Sequence, residues 1–445
     1  MTRFTFAALV LGTYLLYVDG KTSFIKDMKT DVPFPPVNTQ NVPGIPEGHL
    51  RPLGWQRKPE GKVREEKDAL SPSTFYIRYV KTGRPAVMRG VLKEAAVTEK
   101  WEEDTYLKEK YGMLNMTITV KKEVMNRDPH TTKRRMLFRK FLMDYKYENW
   151  YLTSTVHEVM RKELPLPDVL SCGTYRDRLT EAEVWMSSGG TASLLHSHGD
   201  HNVHCVLDGR KDFILIEDQY QSVFNFEPTY PNSGSGHSPM DMDMINAYKN
   251  PKIAETPWVW STLWQGDCIF VPAGYLHQVR AFGRSISYTV QFAPSVTYES
   301  VDCPDEAGGG KRKKKEKKAS KGDTEPEAEN RKLSLADVEF MWTYSDGEMR
   351  LSDRALVPRS LRRLLLLLLR DGDQLHRDQF VHFYEDSHAH EPNLTPTPDE
   401  VFHLMTPNNA RVHLSREEIL ALSDSRLQSV CDLLNKKDAR VKDEL

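Results

Sequence analysis

The chain has 445 residues, a length that suggests two or three domains, and 39% of them are hydrophobic, enough for ordinary globular cores. Lys and Arg number 61 against 63 Asp and Glu, a net charge of −2, which excludes attraction of the whole molecule to nucleic acid or to a membrane surface by charge alone. Five cysteines are too few and too odd in number for a scaffold built on disulfides.

Residues 1–20 read as a secretory signal peptide. Arg3 precedes an apolar run over 4–18, and Val18 and Gly20 put small residues near a cleavage point. The run is short for a membrane anchor, and Lys21 and Lys26 follow it, so no membrane span is expected. Residues 21–70 form a Pro-rich arm without periodicity, as in Pro33-Phe34-Pro35-Pro36. Next come a capped helix over 72–80 and an extended stretch over 85–90. A charged helix over 101–111, a strand over 116–124 and a basic amphipathic helix over 133–145 follow. Strands are then expected at 183–186, 193–198, 203–207, 211–217, 268–271 and 285–292. Many short strands between turn signals predict a mainly β sandwich or barrel with flanking helices. Residues 218–260 would be an insertion across its mouth, with Met240 to Met244 on a surface loop or in touch with a substrate.

Residues 299–331 are a charged low-complexity linker, basic over 311–318 and acidic afterwards. Residues 332–441 change to helical character. The six leucines 364–369 are too few to span a membrane and predict a buried helix or an interface. Three places resemble the exit of an EF-hand calcium loop: Leu351 after Asp346-Gly347-Glu348, Leu375 before Gln379, and Leu414 before Glu418. The first loop would run from Tyr344 to Ala355, the second needs a deletion, and the third would begin at Pro407. Those ligand positions are poor, so a degenerate EF-hand-like domain with weak or no calcium binding is expected. Residues 442–445, Lys-Asp-Glu-Leu, form an address read by the KDEL receptor. With the leader, they predict residence in the endoplasmic reticulum lumen. There Asn115 and Asn393 are glycosylation sequons. Cys205 and Cys268 sit in apolar strand patterns and read as buried free thiols; pairing of Cys172 with Cys303 stays open.

The densest chemistry is Leu194-Leu195-His196-Ser197-His198-Gly199-Asp200-His201-Asn202. Imidazole and carboxylate are the usual ligands of a first-row metal. Residues two apart on a strand share a face, so His196 with His198, or His198 with Asp200, can reach one ion. Lys211 follows a Gly209 turn signal, and a late segment from Gly266-Asp267 through Pro272 ends in His277. His201 and His204 carry no assignment and read as surface or supporting residues.

These spacings resemble the JmjC (Jumonji C) family of iron(II)- and 2-oxoglutarate-dependent oxygenases, over roughly residues 70–296. The resemblance implies a cupin-type double-stranded β-helix over 71–298, with His196 and His277 as metal ligands. His198 stands where the family carries its carboxylate. Lys211 and Ser193 would hold the distal carboxylate of 2-oxoglutarate, and Asn202 and Tyr151 would help orient that co-substrate. Two ligand sets are open: His196, His198 and His277, or a shifted set using His198, Asp200 and His277. The first keeps Ser193, Asn202 and Lys211 in register. The second moves the metal by roughly 7 Å along the strand. Three classes of function follow: a luminal hydroxylase of protein side chains, a JmjC-like pseudoenzyme that binds partner proteins, and a cupin-like small-molecule binder. Lys211 and His277 favour the first over the third, and His198 keeps the second open.

Overall fold

The computed structural model describes residues 33–36, 42–121, 134–229, 234–303, 332–345, 348–351, 356–369, 372–387, 396–406 and 412–440. The leader, residues 304–331, the Asn393 sequon, Pro407 and the terminal tetrapeptide lie outside them. Among the described residues, no helix is long and apolar enough to cross a membrane.

Two sheets build the barrel. Its first strands are β1 (Gly61–Lys62), β2 (Arg64–Glu66), β3 (Ala86–Met88), β4 (Asn115–Val120), β5 (Arg134–Leu137) and β6 (Trp150–Thr155). Then come β7 (Leu179–Ser187), β8 (Thr191–Ala192), β9 (His196–Ser197), β10 (His201–Asp208), β11 (Arg210–Ile216), β12 (Glu227–Pro228) and β13 (Gly236–His237). The last are β14 (Val259–Trp264), β15 (Cys268–Val271), β16 (Leu276–Ala281) and β17 (Ser285–Phe292). One sheet runs β2-β3-β15-β10-β17-β7-β6-β4-β5. The other runs β1-β14-β11-β16-β9-β13-β12, with β8 beside β16. Their inner faces meet where Val206 and Ile269 of the first pack with Phe213, Leu215 and Leu263 of the second.

Strand β10 shows why the pattern reads as it does. Val203, Cys205 and Leu207 point away from the barrel interior, into a core that includes Trp101 and Phe141. Val206 points inward. Both faces are covered, so burial is continuous while side-chain chemistry alternates with period two. Gly209, at φ +78°, makes the turn into β11; a Cβ there would sit 2.0 Å from the Arg284 carbonyl oxygen.

Several expectations need correction. The arm, read as extended and without periodicity, ends in paired strands. Its β1 and β2 pair in parallel with β14 and β3, and Val63 between them is buried. The basic helix starts only at Phe138, because Arg134–Leu137 pairs with β4 and Arg134 lies 4.4 Å from the Trp150 ring. The charged helix is two, Ala96–Trp101 and Asp104–Tyr111. Cys205 and Cys268 are not free thiols: they stand opposite each other on β10 and β15, 4.0 Å apart at Cα, and form a disulfide. Their apolar surroundings announced burial, while partner register is a long-range property. Cys172 and Cys303 form a second bridge, and Cys431 is free and buried.

Residues from Met341 onward build a further apolar core, which Ala293 joins, while Leu335, Val338 and Phe340 pack in the core beside the barrel. Leu361, Leu364, Leu365 and Leu367 of the helix Pro358–Leu368 anchor it. The helix Arg377–Ser387 and the shorter Arg416–Ala421 each follow a short strand, β20 (Gln374–His376) and β21 (His413–Ser415). These strands pair antiparallel, Leu375 opposite Leu414. The first echo is not a helix-loop-helix: β18 (Trp342–Ser345) and β19 (Glu348–Leu351) pair as a hairpin.

Candidate metal centre

His196 on β9 and His277 on β16 are antiparallel partners, and His198 follows two residues after His196. The ring centroids lie 4.1 Å apart for His196 and His277, 5.1 Å for His196 and His198, and 5.5 Å for His198 and His277. One ligand atom from each imidazole lies within 4.8 Å of the others. Asp200, partly buried, is not in that group.

Backbone carbonyls set the ring orientation. His196 Nδ1 lies 2.8 Å from the Leu194 oxygen, and His277 Nδ1 lies 3.0 Å from the Tyr275 oxygen. A carbonyl only accepts, so each Nδ1 carries the proton and each Nε2 presents a lone pair. Burial lowers the His196 pKa and holds His277 well below the ordinary histidine value, which favours the neutral ligand form. The loop is pinned as well: Gly274 N donates to the His198 carbonyl at 2.8 Å, and Gly199 N to Ser235 Oγ at 2.8 Å. Three clustered imidazoles, with His196 and His277 held in the neutral form, suit a divalent first-row ion.

The triad opens on a cavity that Lys211, Asn202, Ser193 and Tyr151 also line. Lys211 is 1% exposed and its Nζ has no hydrogen-bond partner; the Trp185 ring centroid lies 5.9 Å away. Burial lowers its pKa to about 7. Asn202 Oδ1 is also buried without a partner. Ser193 Oγ accepts from Val279 N at 2.9 Å, which fastens it to β16 and leaves its proton to donate. Tyr151 is buried beside Trp185, ring centroids 5.9 Å apart. Unsatisfied buried polar groups are rare in folded proteins, and several around one cavity mark a ligand site. An ammonium and a triad of nitrogen ligands lining one cavity fit a metal-chelating acid with a second carboxylate.

The surface reading of His201 and His204 is wrong: both are 7% exposed. His201 accepts from Ala273 N at 2.9 Å and packs on Phe270 and Phe292, a satisfied core histidine. His204 lines the cavity, in keeping with the supporting reading, as do Glu183 and Thr289, which have no role assigned from the sequence. His237 was missed too. It lies opposite His196 on β13, inside the insertion, where no spacing pointed to it.

The sequence matches the family described as a cupin-like domain over residues 72–298, half of the chain. It is 25% identical over 237 residues to "Lysine-specific demethylase JMJ30" of Arabidopsis thaliana, covering 50% of this chain and 53% of that protein. It is 24% identical over 236 residues to "Lysine-specific demethylase 8" of Xenopus tropicalis, covering 50% of this chain and 51% of the other. "Jumonji C domain-containing protein 5" of Drosophila melanogaster is 20% identical over 236 residues, covering 49% and 57%. The chain thus spans about half the length of the curated relatives it matches. Matched region, barrel and histidine spacing agree: the chain belongs to the cupin-like, JmjC-type family of iron(II)- and 2-oxoglutarate-dependent oxygenases.

Proposed function

We propose that the protein is an iron(II)- and 2-oxoglutarate-dependent oxygenase of the endoplasmic reticulum lumen that hydroxylates side chains of luminal proteins. One observation carries this reading: three clustered imidazoles and the unpartnered Lys211 ammonium line a single cavity. His196, His198 and His277 would hold the metal. Bound there, iron(II) supplies the oxygen activation that this family couples to decarboxylation of its co-substrate. Lys211 pairs with the distal carboxylate, and Ser193 donates its remaining proton toward the same end. Asn202 and Tyr151 orient the rest of the molecule. Phe213, Val271 and Val279 line the cavity with apolar surface and limit water.

Two disulfides support an oxidising compartment, as do the leader-like residues 1–20 and the address at 442–445. The partners in this reading are the KDEL receptor and a luminal protein substrate, with neither nucleic acid nor a membrane span involved. Asn115 is exposed at the start of β4, where a glycan can be accommodated; Asn393 is the second sequon. Removal of residues 442–445 should send the protein into the medium, and unchanged retention contradicts the address. A demethylase of histones, the kind of substrate a nuclear enzyme meets, does not fit this compartment.

The second reading is a pseudoenzyme acting as a luminal binding protein, and His198 favours it. Imidazole in place of carboxylate removes one negative charge from the metal. The iron-loaded protein, incubated with 2-oxoglutarate, oxygen and luminal protein, separates the two. Succinate formation with one oxygen atom added to a protein side chain supports the oxygenase. Metal and co-substrate binding without succinate supports the pseudoenzyme.

A further inference from the structure

We infer that His204 is a second donor to the distal carboxylate of 2-oxoglutarate, and that it sets specificity for a dicarboxylic acid beside Lys211. The inference rests on the proposed co-substrate and adds a residue to its site. His204 stands two residues after Asn202 on β10, so both side chains face the cavity. Lys211 reaches the same cavity from β11. Nε2 of His204 is buried with no hydrogen-bond partner.

The other ring nitrogen decides what Nε2 offers. Nδ1 lies 2.8 Å from Thr289 Oγ1, and the same hydroxyl accepts from Trp185 Nε1 at 3.1 Å. Trp185 occupies one lone pair of the hydroxyl and leaves its proton free to go to Nδ1. In that tautomer His204 carries its own proton on Nε2, a donor facing the cavity. Phe213 meets the ring edge-on, 5.3 Å between centroids, and limits its rotation. A buried N–H without an acceptor is costly, and a ligand oxygen relieves that cost.

The two donors are complementary. The ammonium is a compact charge with little directional demand, whereas the imidazole N–H has one direction. Together they can serve both oxygens of a carboxylate. Glu183 also lines the cavity, its Oε2 accepting from Gln291 Nε2 at 2.8 Å.

The test is calorimetric titration of the full-length, zinc-loaded protein, in which no turnover occurs. The probes are 2-oxoglutarate and 2-oxobutyrate, a 2-oxo acid without the distal carboxylate. His204→Phe should weaken 2-oxoglutarate by about ten- to a hundredfold and leave 2-oxobutyrate unchanged, as expected for a lost bond to a charged group. His204→Gln, which keeps an N–H, should recover most of the affinity. Zinc content and melting temperature check the fold, with His204→Leu as the second apolar variant should the Phe variant misfold. Equal 2-oxoglutarate affinity in wild type and apolar variants overturns the role of His204, and so does an equal loss for both acids. Failure of the wild type to bind 2-oxoglutarate overturns the co-substrate reading itself.

Discussion

Two backbone carbonyls decide what His196 and His277 can do. By taking the Nδ1 protons, Leu194 and Tyr275 leave Nε2 lone pairs facing one point. His196→Ala, His198→Ala and His277→Ala should each abolish stoichiometric metal, measured by elemental analysis, whereas Asp200→Ala should retain it. Metal loss confined to Asp200→Ala contradicts the three-histidine set. Lys211 carries the pH dependence. Its pKa falls from 10.5 to about 7 through burial. Between those values the unfolded chain holds a proton that the folded chain has released. Stability of the ligand-free protein therefore rises with pH across that window. A bound carboxylate restores the charge, so above pH 7 binding takes up a proton. Affinity should weaken by up to about tenfold per pH unit. Calorimetry in two buffers of different ionisation enthalpy measures that uptake, which Lys211→Met should eliminate.

At the scale of elements, the Gly-Asp that opens the last ligand segment is a fastener. Asp267 Oδ1 accepts from Gly90 N at 2.9 Å. Its Oδ2 takes Arg89 Nη1 at 2.6 Å and Trp264 N at 3.0 Å. Gly266, at φ +87°, makes the turn there, and a Cβ would press on Lys93 at 2.9 Å. This ties the β14–β15 turn to the end of β3 and so steadies the strand pair that leads to His277. Asp267→Ala should destabilise by on the order of 2 kcal/mol in denaturant unfolding, because it takes the acceptor from the Gly90 and Trp264 N–H groups, while Arg89 keeps Glu65 and the Thr262 carbonyl. A change under about 0.5 kcal/mol contradicts that role. The spacing of His196, His198, Lys211 and His277 was legible in the sequence because metal and anion chemistry admit few residue types, at a strand period of two. The Cys205–Cys268 bridge and the inward aim of His204 were not legible, since both depend on which distant strand lies alongside β10. Strand β5 and the helix Phe138–Asp144 read as one basic helix because pairing with β4 overrides local propensity.

At the scale of the molecule, the apolar core from Met341 onward lies against the barrel and takes in Ala293, just past β17. Arg363 on the helix Pro358–Leu368 donates to the carbonyls of Asp177 and Arg176, at 3.0 and 3.2 Å, and docks the leucine-rich helix on the barrel. The residues in place of calcium ligands are otherwise engaged. Glu418 Oε2 accepts from Ser415 N at 2.9 Å in a capping box, and Gln379 Oε1 accepts from His376 N at 2.9 Å. Calorimetry should show no calcium binding at submillimolar affinity, and a saturable isotherm in that range contradicts the degenerate reading. Everything functional in the proposal turns on whether 2-oxoglutarate chelates a metal held by three histidines while Lys211 grips its far end. The most direct measurement is anaerobic addition of 2-oxoglutarate to the iron(II)-loaded protein, followed by visible absorption. A charge-transfer band in the wild type, lost in Lys211→Met at the same co-substrate concentration, is the predicted result. Iron bound at full stoichiometry with no band at saturating 2-oxoglutarate would contradict it.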